Sequence, residues 1–262
     1  METIVIHVDS RFRNKTTHAN PGKFCVELDN PLKNIKSIRL SSIEFPNVAY
    51  EFREVKKNNY FRVNGIKVSI SDGNYTPEQI ISAINTSMSI ALGSGDISLF
   101  FSRITGHVTI NSASDTNFNL NFEKDTSTPY PSLGHYLGFR ETIINNISTY
   151  KTNSVIQTIG ENYVFLKVND YGRVGTNLND NYVMAKIIVN KYKNCMVFDD
   201  YANYITKEHE FYQPININKL YIELIDSYGK TIDMNFVDFS LTLEVTHIYN
   251  SFVKEKAQKY IF

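Results

Sequence analysis

Alternation of apolar and polar side chains constrains this chain more than any other feature. The clearest run is Phe239, Leu241, Leu243 and Val245, interleaved with Ser240, Thr242, Glu244 and Thr246. Successive side chains of a strand point to opposite faces, so this pattern predicts a strand with one buried face and one solvated face. The same period of two occurs in Phe24–Leu28 and in Phe118–Phe122.

Further strands are predicted along the whole chain. They cover Ile4–Val8, Ile35–Phe45, Phe61–Ile70, Tyr163–Val168, Val183–Val189 and Leu220–Ile225. The segments Ile97–Ile104 and His107–Ile110 flank Thr105-Gly106, which indicates a hairpin. Because no regular helical crossovers separate these strands, the predicted fold class is all-β, as an antiparallel sandwich or barrel. The 17 Tyr and 17 Phe agree with this, although codon usage in an AT-rich genome would also enrich Tyr.

One helix is predicted within this β-rich pattern, near residues 76–90. Thr76 is placed to cap its N-terminus, Pro77 suits the first helical position, and Gln79 completes a capping box. Ile80, Ile84 and Met88 follow at four-residue spacing and form one apolar stripe. We expect this helix to be inserted between strands and to pack on a sheet.

Length and charge exclude several classes of protein. The chain has 262 residues with 27 basic and 27 acidic side chains, so no broad basic face for nucleic acid is expected. No apolar run has the length of a membrane span, and the N-terminus lacks the layout of a signal peptide. We expect one domain over residues 1–262, with an N-terminal arm (about 1–20) and a charged C-terminal tail (about 250–262). Long loops are predicted over 145–154 and 190–213.

Motifs for catalysis and for metal binding are scarce. No nucleophile elbow, zinc-protease motif, phosphate-binding loop or dinucleotide fingerprint occurs. The best acidic group is Asp199-Asp200 with Glu208-His209-Glu210, and a solvated loop explains it better than a cation site. Cys25 alternates with apolar neighbours in a strand, which favours a structural thiol over a nucleophile. The prediction is therefore a protein that is not an enzyme, with no cofactor and no bound metal.

One charged group near the N-terminus stands out as a candidate contact site. Asp9, Arg11 and Arg13 occupy alternate positions, so an extended segment would place all three on one face. A solvated edge strand is one interpretation. The other interpretation is an N-terminal arm whose arginine guanidinium groups pair with carboxylates of a neighbouring subunit.

Residues 9–140 resemble structural proteins of nucleocytoplasmic large DNA viruses. The resemblance rests on Asp9-Ser10-Arg11-x-Arg13, Pro31-Leu32-Lys33-Asn34, Glu44-x-Pro46-Asn47, Asp72-Gly73-Asn74-Tyr75-Thr76 and Leu133-Gly134-x-x-Leu137-Gly138-Phe139. Such proteins include single jelly-roll capsid components, above all the penton protein of the icosahedral vertices. The resemblance implies two facing sheets of a single jelly roll and no catalytic residues.

The resemblance also implies a function. We expect a capsid protein, assembled in the host cytoplasm, that forms homopentamers and contacts the major and minor capsid proteins of neighbouring capsomers. Another minor capsid role stays open, as does a carbohydrate-binding or receptor-binding β-sandwich, because exposed Tyr and Asn side chains suit sugars. A hydrolase on a β-sandwich has the least support, since no catalytic group of residues is apparent.

Overall fold

A computed structural model describes residues 1–172, 174–176, 182–199, 204–206 and 208–248, with only the backbone described over 204–206. The predicted charged tail at about 250–262 lies outside these residues. Within the described ranges, no helix is both long and apolar enough to cross a membrane.

Strand is the commonest secondary structure among the described residues. The elements in chain order are β1 (Glu2–Asp9), β2 (Lys23–Pro46), β3 (Tyr60–Val63), β4 (Ile66–Ser69), α1 (Pro77–Leu92), β5 (Ile97–Phe101), β6 (Val108–Ser112), β7 (Phe118–Asn121), α2 (Leu133–Leu137), β8 (Ile143–Ile147), β9 (Thr149–Lys151), β10 (Tyr163–Val168), β11 (Val174–Gly175), β12 (Tyr182–Val183), β13 (Ala185–Ile188), β14 (Met196–Asp199), β15 (Tyr204–Thr206), β16 (His209–Ile225) and β17 (Ser240–His247). Two 3₁₀ turns, Ser10–Phe12 and Glu54–Lys56, complete the assignment.

The chain divides into two compact units. Unit 1 comprises residues 1–49 and 161–262, and unit 2 comprises residues 50–160. Unit 1 holds an eight-stranded sheet in the order β1-β17-β2-β16-β10-β13-β15, with β14 also paired to β2, and the small ribbon β11-β12. Unit 2 holds the sheets β4-β3-β7-β8 and β5-β6-β9. The second unit is therefore a continuous insertion between β2 and β10.

The 24-residue strand β2 organises unit 1. Its C-terminal half pairs with β17, and its N-terminal half pairs with β16, which has three register shifts along the contact. Phe24–Leu28 and Ile35–Phe45, predicted as separate strands, are both parts of β2. The polar residues between them stay in the strand because the bulged pairing with β16 continues past them.

One apolar core lies against seven of the strands of the large sheet. Its buried side chains come from β1, β2, β10, β13, β14, β16 and β17, and include Val8, Phe24, Ile43, Leu166 and Leu241. A single antiparallel sheet whose strands all line one core has to curl around it. The predicted class, an all-β jelly-roll-like fold with one substantial helix, is confirmed.

Two details of unit 2 differ from the sequence prediction. Phe61–Ile70 forms a hairpin, because Asn64 and Gly65 both take left-handed backbone angles (φ 50° and 80°) between β3 and β4. Asn-Gly is the strongest short hairpin signal, so the sequence did contain it. The prediction of a long loop over 145–154 was wrong for most of these residues, because they lie in β8 and β9.

Helix α1 confirms the predicted helix and extends it to Leu92. The Thr76 hydroxyl accepts from the Gln79 amide (3.2 Å), and the Gln79 side chain accepts from the Thr76 amide (2.9 Å). Ile80, Ile84 and Met88 are fully buried in the core of unit 2. Gly93 ends the helix in the left-handed conformation (φ 65°).

The capping box provides a test of how unit 2 is stabilised. Replacing Thr76 by Ala removes the acceptor for the Gln79 amide, so we expect the free energy of unfolding to fall by about 1 kcal/mol. Thr86→Ala is the matched control, because Thr86 is exposed on the same helix and alanine is the better helix former. Chemical denaturation of both variants measures the difference, and equal losses would contradict the capping role.

Candidate interaction surface

Four strand ends meet at one end of the large sheet of unit 1. Asp9 at the end of β1 is opposite Ser240 at the start of β17, and Ser240 is opposite Glu44 of β2. Met196 at the start of β14 is opposite Pro46, where β2 ends. The turns that follow or precede these strands therefore lie side by side.

The first turn is held by a buried arginine. The Arg13 guanidinium donates to the backbone carbonyls of Ser10 (2.7 Å), His18 (2.8 Å) and Ala19 (3.0 Å), and it forms an ion pair with Asp238. Only 4% of the Arg13 side chain is exposed. The Ser10 hydroxyl donates to Asp238 (2.8 Å) and accepts from the Phe239 amide (2.9 Å). These bonds fix the Ser10–Phe12 turn to the start of β17.

Asp9 and Arg11 form an ion pair at the edge of the same turn. The Arg11 Nε donates to Asp9 Oδ2 and the Arg11 amide donates to Asp9 Oδ1, both at 2.9 Å. The side-chain bond from Arg11 holds the pKa of Asp9 below its ordinary value, against the opposing effect of burial. The Arg11 side chain remains 67% exposed, so its charge faces outward while Asp9 is buried.

The second turn carries an exposed aromatic side chain on a strained backbone. Asn235 and Phe236 have φ angles of 48° and 62°, in the left-handed region that disfavours a bulky residue. The Asn235 side chain donates to the Val48 carbonyl (2.7 Å), which ties this turn to the end of β2. Phe236 is 79% exposed. Its conformation costs about 1–2 kcal/mol without any compensating burial in the subunit.

The third turn runs from Tyr192 to Cys195. Asn194 donates its amide to the Asn47 carbonyl and Asn47 donates its amide to the Cys195 carbonyl, both at 2.9 Å. The Asn47 side chain adds a bond to the Lys191 carbonyl (2.9 Å). Tyr192 is 89% exposed at the tip of this turn.

We define the turn cluster as Ser10–Phe12, Asn235–Val237 and Tyr192–Cys195. Phe12 is 85% exposed, so each turn presents one largely exposed ring on a backbone held by hydrogen bonds. Exposed aromatic side chains beside an arginine are residues of the kind that act as energetic anchors in protein interfaces. The turn cluster is therefore a candidate contact surface, and its backbone, which hydrogen bonds already hold, would lose little conformational freedom when it is covered.

The structure changes the geometry assumed for the predicted contact residues. Asp9, Arg11 and Arg13 do not share one face of an extended segment, because Ser10–Phe12 is a 3₁₀ turn. Arg11 faces outward. Arg13 points inward, and its guanidinium group donates hydrogen bonds to backbone carbonyls of the same chain. Their part in an intersubunit contact stays a prediction. The N-terminal arm is also placed differently, since β1 is paired to β17 along its whole length.

Sequence reasoning missed Phe12, Phe236 and Tyr192. An isolated aromatic residue in a polar stretch gives no periodic signal, and aromatic residues are more often buried. A usable signal was present at Asn235-Phe236, between Asp233 and Asp238. Polar turn residues around one bulky ring indicate a loop in which the ring has no core to enter.

The other residues considered for chemistry lie apart. Cys25 is half-buried in β2 opposite Tyr221, and Cys195 is exposed, so neither thiol is bonded to the other. Asp199 is buried in β14, Asp200 lies outside the described residues, and Glu208 accepts from the Ser37 hydroxyl. Across the described ranges, no group of three or more His, Cys, Asp or Glu side chains is arranged to hold a metal ion.

The curled antiparallel sheet and its main apolar core define a jelly-roll-like structural class. No protein-family model and no curated protein matches the sequence. Among solved structures, the chain is similar to the penton protein of mavirus, with 12% identity and a TM-score of 0.52 over 95% of this chain and 100% of that one. A chain in the cryo-EM structure of the Sputnik virophage also matches, with 11% identity and a TM-score of 0.44 over 94% and 98%. This chain thus shares the fold of the mavirus penton protein.

Arg13 provides a direct test of what holds the turn cluster. Arg13→Ala leaves Asp238 without its ion-pair partner and three carbonyls without a donor, so we expect a loss of about 3–5 kcal/mol of unfolding free energy. Arg11→Ala is the comparison variant and should cost clearly less, because it removes a mostly exposed side chain whose ion-pair partner is Asp9. Denaturant titration measures the unfolding free energy of both variants. Similar losses of this free energy would contradict the assignment of Arg13 as the residue that holds the turn cluster.

The Asp9–Arg11 pair predicts a pH dependence. A carboxylate whose pKa is lower in the folded chain stabilises the fold above its unfolded pKa of about 3.9, and this contribution is lost as pH falls through the folded pKa. Asp9→Asn keeps the oxygen that accepts from the Arg11 amide but removes the charge. We expect this variant to be less stable than the native chain at pH 7, with a difference that shrinks below about pH 4. A difference independent of pH would contradict the role of the charge.

Proposed function

We propose that this chain is a capsid protein that forms homopentamers at icosahedral vertices and contacts the major and minor capsid proteins around it. The proposal is supported by the fold that the chain shares with a penton protein over nearly its full length. In this proposal the chain acts in the virion capsid after assembly in the host cytoplasm. Its role is structural and not catalytic.

The turn cluster is the observation that carries the self-association. Phe236 retains a strained conformation with its ring in water, and strain of this kind is usually kept where it serves a contact. Burying an exposed Phe side chain stabilises a complex by about 1.5–3 kcal/mol. Three rings on three hydrogen-bonded turns would therefore contribute much of the energy that offsets the entropy cost of association, and Arg11 adds a charged neighbour.

A ring of identical subunits needs two different complementary surfaces on each subunit. Cyclic rings use such heterologous contacts, in which one face of a subunit meets another face of the next. The turn cluster supplies one of these faces. Within it, Phe12 and Arg11 are displayed outward, while Arg13 holds the turn from inside. In this proposal Arg11 of the predicted contact group is a contacting residue, and Arg13 positions the turn.

Native mass spectrometry tests the ring and the surface together. Five copies of a 30.1 kDa chain give a complex of about 150 kDa. The double variant Phe12→Ala/Phe236→Gly removes two rings, so we expect at least a 30-fold weaker association, equivalent to about 2 kcal/mol. Phe236→Gly also relieves the left-handed strain and should not lower the stability of the subunit.

Tyr212→Ala is the matched control for surface aromatic residues. Tyr212 is 97% exposed in β16, outside the turn cluster, so its removal should leave the 150 kDa complex unchanged. A native chain that stays monomeric at micromolar concentration would contradict the ring. If the double variant still forms the 150 kDa ring, the turn cluster is not its interface. The same conclusion follows if Tyr212→Ala weakens the ring as much as the double variant does.

A further inference from the structure

In unit 2, an open groove of about 500 Å³ lies between helix α1 and strand β5. Ile81 of the helix and Leu99 of the strand line it, and both are buried in the core of unit 2. A volume of this size is within the range of small-molecule sites in proteins. Because side chains of a packed core hold their positions, the groove offers a small ligand a rigid base.

The strand side of the groove presents one aromatic ring to solvent. Leu99 and Phe101 pack against the core of unit 2, so Phe100 between them lies on the opposite face of β5. Phe100 lines the groove and is 56% exposed. The face of an aromatic ring is electron-rich and attracts the slightly positive hydrogens of C–H groups. Phe100 therefore offers a flat apolar surface to a ligand.

The rest of the groove is polar, and its two charged residues balance each other. Arg103 donates from Nε to Glu78 Oε1 (2.7 Å). A guanidinium has five N–H donors and a carboxylate accepts at two oxygens, so both groups can also bond to a ligand. The Thr86 hydroxyl donates to the Ser82 carbonyl (3.0 Å), and its oxygen can accept from a ligand. Donors and acceptors thus lie beside the Phe100 ring.

An asparagine side chain blocks the addition of a peptide strand to β5. Asn85 of α1 donates from Nδ2 to the Leu99 carbonyl (2.9 Å) and accepts at Oδ1 from the Leu99 amide (2.8 Å). These are the two bonds that an added antiparallel strand would make at this position. An extended peptide therefore cannot pair along this edge while Asn85 holds both groups.

We propose that the groove between α1 and β5 binds a neutral saccharide through one hexopyranose ring. A pyranose has an apolar face of C–H groups, which matches the exposed ring of Phe100, and a rim of hydroxyl groups that both donate and accept. Glu78 accepts from these hydroxyl groups and Arg103 donates to them. The inference goes beyond the proposed capsid role, because it concerns unit 2 and needs no neighbouring subunit.

The charges of the groove oppose two other classes of ligand. A phosphate or sulfate group is bound by a surplus of positive charge, and the Glu78 carboxylate beside Arg103 removes that surplus. A purely apolar ligand would take the Glu78–Arg103 pair and the Thr86 hydroxyl out of water without replacing their hydrogen bonds to it. A neutral ligand rich in hydroxyl groups meets neither cost.

Amide NMR spectra of the full chain test the site with simple probes. The probes are the methyl glycosides of glucose, galactose, mannose and N-acetylglucosamine, each added up to about 100 mM because a ligand of this size binds in the millimolar range. We expect at least one glycoside to shift the amide signals of Ser82, Phe100 and Arg103 in a saturable manner. Glucose 6-phosphate should bind no more tightly than glucose.

Three variants separate ring stacking from other effects. Phe100→Leu keeps an apolar side chain but loses the flat ring, so we expect about tenfold weaker binding of the glycoside. Phe100→Tyr keeps the ring and should bind as the native chain does. Ile104→Ala is the matched control, because Ile104 is 97% exposed and lies outside the groove, so its loss should leave binding unchanged. Circular dichroism shows whether each variant is folded.

The outcomes separate the saccharide site from its rivals and from the ring. The inference is overturned if no glycoside shifts these signals, or if Phe100→Leu binds as tightly as the native chain. Tighter binding of glucose 6-phosphate than of glucose would show an anion site instead. Because each glycoside binds one subunit, a chain that forms the 150 kDa complex but binds no glycoside leaves the proposed function standing.

Discussion

The pairing of β2 with three other strands is the constraint on which unit 1 depends. β17 lies along one side of β2, and β16 and β14 lie along the other, so a single long strand connects nearly the whole sheet. Each partner contributes side chains to the same core, and the sheet has to curl to bring them together. Bulges in the β2–β16 contact allow the long strands to bend without losing their partners.

The curled sheet also determines where the exposed turns lie. Because β1, β2, β14 and β17 end or begin at one level, their turns meet at one end of the sheet and bond to each other. Arg13, Asn47 and Asn235 fix these turns from inside through bonds to backbone carbonyls. The backbone that carries the exposed rings is thereby held without help from a partner, which would lower the entropy that these turns lose on association.

Local features of the sequence predicted the fold well. The alternation at Phe239–Thr246 became most of β17, and the Thr76–Gln79 capping box starts α1 as expected, because both signals arise from neighbours in the chain. The interaction surface was harder to predict. Arg13 reaches Asp238 across 225 residues, so its burial depends on tertiary pairing that no local pattern contains. Phe236 was missed for a related reason, since its exposure follows from the turn geometry and not from its hydrophobicity.

The most direct test of the account is a cryo-EM map of a particle that contains this chain. The account predicts five copies around each fivefold axis, with Phe12, Phe236 and Tyr192 buried between neighbouring subunits. A map that places the chain away from every fivefold axis would contradict the vertex assignment. A map with the chain at the vertices but with these three rings in solvent would contradict the role given to the turn cluster.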